Sequence, residues 1–362
     1  MRNRILGKTD LVVSELAFGS LFTSSLGPGF DESRAAVHKA LELGINYFDT
    51  APAYANSEEV LGKIMHGIKT PTILSTKLGG RPQPFEPRNS KQLLDSAKES
   101  LRLLHRDVID ILFVHEPDRP QQYDWWSDPE AAYGPVIDVL EQLKKQGVIR
   151  YTGLGGTTMA EMAHLIRSDR FDVVLTAFNY SALFREATHE VLPAAKERNM
   201  GIVLGSVLQQ GGLGRRYDVV VRAKPAWLSK ARQQQFLAFY ELLDESGLSI
   251  VELCLRFAIS EITQLAGRAS DGPGHPSLAR PANNLGHCVL IGPKTAKQVE
   301  DSINAVEKGP LPSDVTKRLD EIAAMVPYRP FEEPMILPLN RPRDYWGPGS
   351  SNVGAGAKVG KL

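Results

Sequence analysis

Four titratable side chains stand at the ends of three consecutive apolar strands in the sequence. Asp49 ends the strand Ile45–Asp49, and Tyr54 lies in the short loop that follows it. Lys77 follows the next apolar strand, and His115 follows the one after that. If the strands run parallel, their carboxyl ends meet at one face, where active sites of such folds lie. The four side chains are therefore expected to converge.

Together these side chains can transfer a proton to or from a carbonyl oxygen. A tyrosine can donate its proton as a hydride reaches the carbonyl carbon, but its ordinary pKa near ~10 makes it reluctant at neutral pH. A neighbouring ammonium favours the phenolate, so Lys77 is expected to lower the pKa of Tyr54. Asp49 is expected to pair with Lys77 and hold it charged. His115 is expected to orient the carbonyl or share the proton.

Each residue also has an ordinary structural interpretation. Asp49 can open a turn, a lysine after a strand usually faces solvent, and a lone histidine is more often a hydrogen-bonded structural residue. Their joint position at three consecutive strand ends makes a chance arrangement a poor explanation. The pattern therefore favours an active site.

Short strands alternate with helices along most of the chain. The predicted strands are Leu16–Phe18, Ile45–Asp49, Thr72–Thr76, Val108–Val114, Tyr151–Leu154, Val173–Thr176, Ile202–Leu204 and Cys288–Ile291. The predicted helices include Glu32–Leu43, Ser90–Leu104, Tyr133–Gln146, Met159–Ile166, Ala187–Arg198 and Thr295–Val306. This alternation predicts an α/β fold with a parallel sheet, and eight units close a (β/α)8 TIM barrel. An open doubly wound sheet is the alternative, but the sequence after the first strand, GSLFTSSLGPG, lacks its dinucleotide loop.

The composition is that of an ordinary globular protein. The chain has 362 residues, of which 42% are hydrophobic and 23% are charged, and its formal net charge is zero. Because no basic stripe is present, we expect no nucleic-acid partner. No apolar run could span a bilayer, and the charged first ten residues do not resemble a signal peptide. We expect a cytoplasmic protein in which Cys254 and Cys288 are buried free thiols.

Two regions interrupt the alternation of strands and helices. Residues 264–286 are rich in Gly, Pro, Ala and Asn, which predicts a long functional or disordered loop. Residues 1–330 are expected to form one barrel domain, and residues 331–362 a C-terminal extension whose end is disordered. Tyr345 and Trp346 in that extension could fold over the barrel mouth.

The segments that carry the four titratable residues resemble the aldo-keto reductases. "RILGKTDLVVSELAFGS" is similar to the family's N-terminal β-hairpin and first strand, and "GINYFDTAPAYANSEEVLG" to its most diagnostic segment. "STKLG" and "ESLRLLHRDVIDILFVHEPD" supply the lysine and histidine of the family's catalytic tetrad. "LEQLKKQGVIRYTGLGG" and "VLIGPKTAKQVEDSINAV" resemble the entry to the fifth strand and the cofactor segment. The resemblance covers nearly the whole chain and implies that Asp49, Tyr54, Lys77 and His115 are the tetrad, with Tyr54 as general acid/base.

The resemblance also implies an NAD(P)(H)-dependent oxidoreductase that binds its cofactor without a Rossmann domain. The implied cofactor contacts are Gly19, Thr157, Ser206, Leu208, Gly211 and Leu213, with Lys294, Thr295, Gln298 and Ser302 at the adenosine end. A lysine beside the ribose suits a 2′-phosphate, so NADP(H) is favoured and NAD(H) is possible. Without the family context, Lys294 is as readily a solvated lysine at a helix start.

Several positions depart from the usual pattern of the family. Gln298 stands where many members have arginine, which weakens the expectation of NADP(H). The aromatic residue that usually stacks on nicotinamide is absent near Gly205, and Ala177 replaces a glutamine that often contacts the carboxamide. Thr157 and Thr158 stand in place of a Ser-Asn pair. These departures resemble the branch of galactose and related sugar dehydrogenases.

The implied substrate contacts are aromatic. The stretch "EPDRPQQYDWWSDPE" after His115 brings Trp125 and Trp126 to a loop over the mouth, and Phe22 is a third contact. Aromatic faces suit a sugar ring or, equally, a flat multi-ring ketone, and a tryptophan pair in the core is the alternative.

The predicted function is therefore hydride transfer between a nicotinamide and the carbonyl or secondary alcohol of a sugar or sugar-like compound. One alternative is a reductase of a bulkier keto compound, such as a terpenoid, polyketide or xenobiotic. Another is a cofactor-sensing binding subunit like the potassium-channel β-subunits, against which the intact tetrad argues. We expect a small-molecule carbonyl or alcohol substrate, no metal and no membrane partner. The sequence leaves open the direction of the reaction, a homo-oligomer, and whether residues 264–286 form a lid or an oligomer contact.

Overall fold

Eight parallel strands close into a barrel that helices surround. The structure is a computed structural model, and it describes residues 1–260, 287–330 and 333–340. The barrel strands are β3 (Leu16–Gly19), β4 (Tyr47–Asp49), β5 (Ile73–Leu78), β6 (Ile109–His115), β7 (Ile149–Gly156), β8 (Val173–Ala177), β9 (Gly201–Gly205) and β10 (His287–Ile291). Each strand pairs with the next along the chain, and β10 pairs with both β9 and β3. The predicted (β/α)8 TIM barrel is confirmed.

A short antiparallel hairpin closes the amino-terminal end of the barrel. It consists of β1 (Asn3–Ile5) and β2 (Val12–Ser14), as the sequence predicts. Leu6, Leu11 and Val13 are buried in one cluster with apolar side chains that point into the barrel. The floor is therefore sealed by apolar packing, which leaves the carboxyl ends of the strands as the open face.

Helices form the outer layer. They are α1 (Phe30–Glu42), α2 (Ser57–Met65), α3 (Ser90–Leu104), α4 (Pro135–Lys145), α5 (Ala160–Arg167), α6 (Val191–Glu197), α7 (Asp218–Ala223), α8 (Lys230–Ser246), α9 (Ile250–Ile259), α10 (Ala296–Glu307) and α11 (Ser313–Ala324). In α4, Val136, Ile137, Leu140 and Leu143 are buried at helical spacing. Burying each such side chain contributes about 1.5–3 kcal/mol, so the apolar face of α4 holds this helix against the barrel.

The predicted helix 187–198 is shorter than expected. A 3-10 turn occupies Glu186–Thr188, and α6 begins only at Val191. Pro193 is the reason that the sequence offers, since proline has no N–H to donate and is tolerated only in the first turn of a helix. The helix therefore starts just before the proline.

The described part of the C-terminal extension packs back on the barrel. Glu333 forms a buried ion pair with Arg232 of α8, at 2.9 Å between oxygen and nitrogen. Leu337 and Leu339 are buried in the core. The predicted loop at 264–286 and the rest of the extension, with Tyr345 and Trp346, lie outside the described residues.

The state of the cysteines and the absence of a membrane-spanning helix were both expected from the sequence. Cys254 and Cys288 are buried free thiols, as predicted. In the described ranges, no helix combines the length and apolar character that crossing a membrane requires.

Candidate active site

The strand ends bring three of the four titratable residues together. Asp49 is the last residue of β4, and His115 is the last residue of β6. β5 extends to Leu78, so Lys77 lies inside that strand and does not follow it as predicted. Its side chain points into the barrel, where it is 1% exposed.

Two tight turns return Tyr54 to these strand ends. The Tyr54 N–H donates to the Ala51 carbonyl at 3.0 Å, and the Ser57 N–H donates to the Tyr54 carbonyl at 3.0 Å. Ala55 between them has a φ of 51°, a left-handed conformation that reverses the chain. The loop between β4 and α2 therefore folds back on itself and presents Tyr54 over the barrel.

Asp49 and Lys77 form a fully buried ion pair. Lys77 Nζ donates to Asp49 Oδ2 at 2.7 Å and to the Thr50 carbonyl at 2.7 Å. The Ser75 hydroxyl donates to the other carboxylate oxygen, Oδ1, at 2.6 Å. The side chains of Lys77 and Asp49 are 1% and 0% exposed. Each charge keeps several partners, which a buried pair needs to offset its desolvation.

Tyr54 stands above this pair and beside His115. Lys77 Nζ lies 4.8 Å from the centroid of the Tyr54 ring. The rings of Tyr54 and His115 have centroids 5.9 Å apart and meet edge to face at 84°. The structure thus brings together all four residues that the sequence predicted as a catalytic group.

Burial and the charge of Lys77 shift the pKa of Tyr54 in opposite directions. Burial raises the pKa of Tyr54 above its ordinary value, the charge of Lys77 lowers it, and Asp49 raises it again. The expected effect of Lys77 is present, but burial outweighs it. Burial also lowers the pKa of Lys77, yet Asp49 and Tyr54 reverse that effect and the net shift is upward. Lys77 is therefore held charged.

His115 is held neutral. Burial and then the charge of Lys77 lower the pKa of His115 from its ordinary value to about 3. Its Nδ1 atom is buried and has no hydrogen-bond partner among the described residues. A neutral imidazole carries one N–H donor and one bare acceptor nitrogen. His115 lines the cavity, so its one N–H can donate a hydrogen bond to a bound molecule while the ring stays uncharged.

A cavity of about 1120 Å³ opens above these residues and runs to the first turns of α10. The predicted cofactor contacts that line it are Gly19, Thr157, Ser206, Leu208, Gly211, Lys294, Gln298 and Ser302. Ordinary small-molecule pockets measure about 300–1,000 Å³. The cavity is therefore large enough for a dinucleotide.

Two predicted cofactor contacts are not among the described residues that line the cavity. Leu213 is 0% exposed and belongs to the apolar core. The Thr295 hydroxyl accepts a hydrogen bond from the Gln298 N–H at 3.2 Å and so caps α10. Its oxygen is used by the helix, as is typical of threonine at this position.

A cation stands beside the part of the cavity that lies at the N-terminus of α10. Lys294 precedes α10, and its Nζ lies 4.4 Å from the centroid of the Phe22 ring. Arg215 lines the same cavity. A helix N-terminus with nearby cations attracts phosphate groups. Together with the reach to Tyr54, these features fit an extended nicotinamide dinucleotide.

Trp125 and Trp126 are not where the sequence analysis placed them. The Trp125 indole N–H donates to the His115 carbonyl at 3.0 Å, and the Trp126 indole N–H donates to the Pro117 carbonyl at 2.7 Å. They are 0% and 7% exposed, and neither is among the cavity-lining residues that the structure describes. Both tryptophans therefore belong to the core, where backbone carbonyl groups accept the hydrogen bonds of their indole N–H groups. Phe22 does line the cavity.

Two of the cavity residues that the sequence analysis did not name directly follow barrel strands. Phe178 follows β8 with a φ of 71°, and its carbonyl accepts a hydrogen bond from Gln209 Nε2 at 2.8 Å. Glu116 follows His115 directly. Both line the cavity. The available signal was their position one residue beyond a barrel strand, which places a side chain near the open face.

Comparisons with known proteins agree with this fold. The model of the Aldo/keto reductase family matches residues 15–324, so the chain belongs to that family. The chain is 28% identical to L-galactose dehydrogenase of Arabidopsis thaliana, over 84% of this chain and 87% of that protein. It is 26% identical to a probable voltage-gated potassium channel subunit beta of the same plant, over 91% of this chain and 98% of that protein.

A third relative and a solved structure extend the comparison. The chain is 28% identical to D-threo-aldose 1-dehydrogenase of a Pseudomonas species, over 56% of this chain and 68% of that protein. The holo form of an aldo-keto reductase from Bacillus halodurans has a TM-score of 0.62 and 25% identity, over 90% of this chain and 97% of that one. The protein is an NAD(P)(H)-dependent oxidoreductase of a family that acts on small molecules.

Removing one partner of the buried pair should destabilise the fold. Asp49→Asn leaves the Lys77 charge without its counter-ion, and such a loss costs roughly 3–5 kcal/mol. In the double variant Asp49→Asn/Lys77→Met neither charge of this pair remains, so we expect a smaller loss than in the single variant. Urea unfolding of the three proteins measures these differences. A double variant less stable than Asp49→Asn would contradict the pairing.

Proposed function

We propose that the protein transfers a hydride between NADP(H) or NAD(H) and a carbonyl or secondary alcohol of a sugar or sugar-like compound, with Tyr54 as general acid/base. The observation that carries the proposal is the buried Asp49–Lys77 pair lying directly under the Tyr54 ring at the end of a large cavity. A buried charge pair in a cleft beside a titratable hydroxyl is a common arrangement in catalytic sites.

The residues of the chain would divide the work of proton transfer. When bound, the nicotinamide supplies or accepts the hydride. Tyr54 gives its hydroxyl proton to the carbonyl oxygen in reduction and takes it back in oxidation. Lys77, kept charged by Asp49, stabilises the phenolate that remains on Tyr54 after the proton has left. A group with a pKa above neutrality retains the proton that reduction needs.

His115 would orient the substrate oxygen. Since its Nδ1 atom is buried without a donor or acceptor among the described residues, we assign the proton to Nε2. Nε2–H then donates to the carbonyl oxygen, and the low pKa of His115 keeps the ring neutral throughout. Tyr54 therefore remains the proton donor, and His115 the positioning group.

The cofactor would lie along the cavity that these residues share. Ser206, Leu208 and Gly211 are proposed to contact the pyrophosphate. Lys294 and Gln298 are proposed to contact the adenosine end, with NADP(H) favoured because Lys294 offers a cation to a 2′-phosphate.

The sugar assignment has two supports. L-galactose dehydrogenase and D-threo-aldose 1-dehydrogenase are both similar to this chain. The cavity beside Tyr54 also presents polar groups, Glu116 and Thr157, to a substrate. Polar groups in an active-site wall favour a substrate with hydroxyl groups, because an apolar substrate would displace their water without replacing its hydrogen bonds.

A cofactor-binding subunit without turnover is a second candidate. It has the support of the similarity to a potassium channel subunit beta over 91% of this chain. A subunit of that kind would bind NADPH and leave it unchanged in the presence of every carbonyl compound. Measuring cofactor binding together with turnover therefore distinguishes the two candidates.

Replacing the proposed proton donor should abolish turnover without weakening cofactor binding. We expect Tyr54→Phe to lower kcat by about 10²–10⁴-fold, as general acid–base catalysts typically contribute. Steady-state oxidation of NAD(P)H and quenching of tryptophan fluorescence measure the two properties. Tyr123→Phe is a matched control, because this ring lies 6.4 Å from that of His115 without lining the cavity in the described chain. Turnover at the wild-type rate in Tyr54→Phe would refute the assignment.

The proposed phosphate contact should distinguish the two cofactors. We expect Lys294→Ala to weaken NADPH binding about tenfold or more, since a charge-assisted hydrogen bond contributes roughly 1.5–3 kcal/mol. NADH should lose much less affinity. Lys297→Ala, three residues further along α10 and exposed, is the control. Equal losses for NADPH and NADH would show that Lys294 contacts no 2′-phosphate.

A further inference from the structure

Glu116 places a carboxyl group in the cavity wall next to the tetrad. Its backbone N–H donates to the Gly155 carbonyl at 2.8 Å, which continues the β6–β7 pairing by one residue. Its φ of 49° lies in the left-handed region, which is uncommon for a residue other than glycine. This turn directs the side chain to the cavity that Tyr54 and His115 also line.

One oxygen of this carboxyl group is held by the protein. Glu116 Oε2 accepts a hydrogen bond from the Thr157 hydroxyl at 3.3 Å and pairs with Arg119 Nε at 3.2 Å. Arg119 in turn donates from Nη2 to the Met335 sulfur at 3.0 Å. Thr157 and Arg119 therefore orient the carboxyl group directly, and Met335 acts only through Arg119.

The other oxygen remains available. Within the described residues, Glu116 Oε1 accepts no hydrogen bond, and it is not sealed in the interior. Burial raises the pKa of Glu116, Arg119 lowers it, and Asp118 raises it, so that the net shift is upward. A carboxyl group of this kind can accept a hydrogen bond or, when protonated, donate one.

We propose that Glu116 binds the substrate hydroxyl adjacent to the reacting carbon and thereby selects hydroxylated substrates. Glu116 and His115 line the same cavity, and the charge of Glu116 raises the pKa of Tyr54, so its carboxyl group lies near the proposed proton donor. In the free protein this oxygen faces the cavity and its water, and a substrate hydroxyl group that displaces the water would supply a hydrogen bond in its place. The inference rests on the proposed function and names the group that recognises the sugar.

The test compares aldoses with their 2-deoxy analogues, which lack only that hydroxyl. The pairs are glucose and 2-deoxyglucose, galactose and 2-deoxygalactose, and ribose and 2-deoxyribose, each oxidised with NAD and with NADP. In the wild type, we expect kcat/KM to favour the parent sugar. In Glu116→Ala this preference should fall about tenfold or more, mainly through KM for the parent sugar.

Two further variants separate recognition from support of the loop. Glu116→Gln keeps the shape and one acceptor oxygen, so we expect it to retain part of the preference. Glu161→Gln changes an exposed glutamate at the start of α5, and we expect the preference of the wild type. A purely structural role of Glu116 would reduce kcat/KM for parent and deoxy sugar by the same factor.

Several outcomes would overturn the inference. An unchanged preference in Glu116→Ala would do so, as would a wild type without any preference for the parent sugar. If Glu116→Ala raised the Kd for NADPH or NADH and left the preference for the parent sugar unchanged, Glu116 would be a cofactor contact instead. A wild type that neither oxidises any of the six sugars nor reduces a sugar carbonyl compound with NADPH or NADH would reject the proposed sugar oxidoreductase itself, and the inference with it.

Discussion

The buried ion pair between Asp49 and Lys77 is the interaction on which the site depends. Two charges with almost no exposure to water are stable only where hydrogen bonds satisfy both, and the β4–β5 pairing supplies the Ser75 hydroxyl and the Thr50 carbonyl. The β-hairpin at the amino-terminal end seals the barrel beneath them. Because the pair cannot move without losing these partners, Lys77 is fixed under Tyr54. A rigid cation below a partly buried phenol gives that phenol a defined electrostatic environment, which is how proteins prepare a group for proton transfer.

Much of this arrangement could be predicted from the sequence, because it follows from local patterns. The apolar strands that end in Asp49 and His115 can be recognised from the sequence alone. In a parallel barrel the carboxyl ends of all strands lie at one face, so these residues must come close together. The barrel strands are buried on both sides, which gives the short β-branched runs that revealed them. The position of Tyr54 followed from the length of the loop behind β4, although the turn at Ala55 did not.

The remaining details depend on contacts between distant segments. Trp125 and Trp126 form the same sequence pattern in a core as at a cavity mouth, and the carbonyl groups that accept their N–H bonds decide the outcome. Thr295 was implied as a cofactor contact by the resemblance to the family, whereas the use of its hydroxyl to cap α10 depends on the fold of the loop before that helix. The pKa of Tyr54 depends on how burial balances against Lys77, and a sequence gives no measure of burial for one loop side chain.

The most direct test of this account is the pKa of the Tyr54 phenol, measured by NMR of protein labelled with ¹³C at the tyrosine ζ carbon and assigned with Tyr54→Phe. The account predicts a pKa above the ordinary value of about 10 in the wild type. It predicts a still higher value in Asp49→Asn/Lys77→Met, because the favourable charge of Lys77 outweighs the opposing charge of Asp49. An equal or lower pKa of Tyr54 in the double variant would show that the buried pair does not control the phenol.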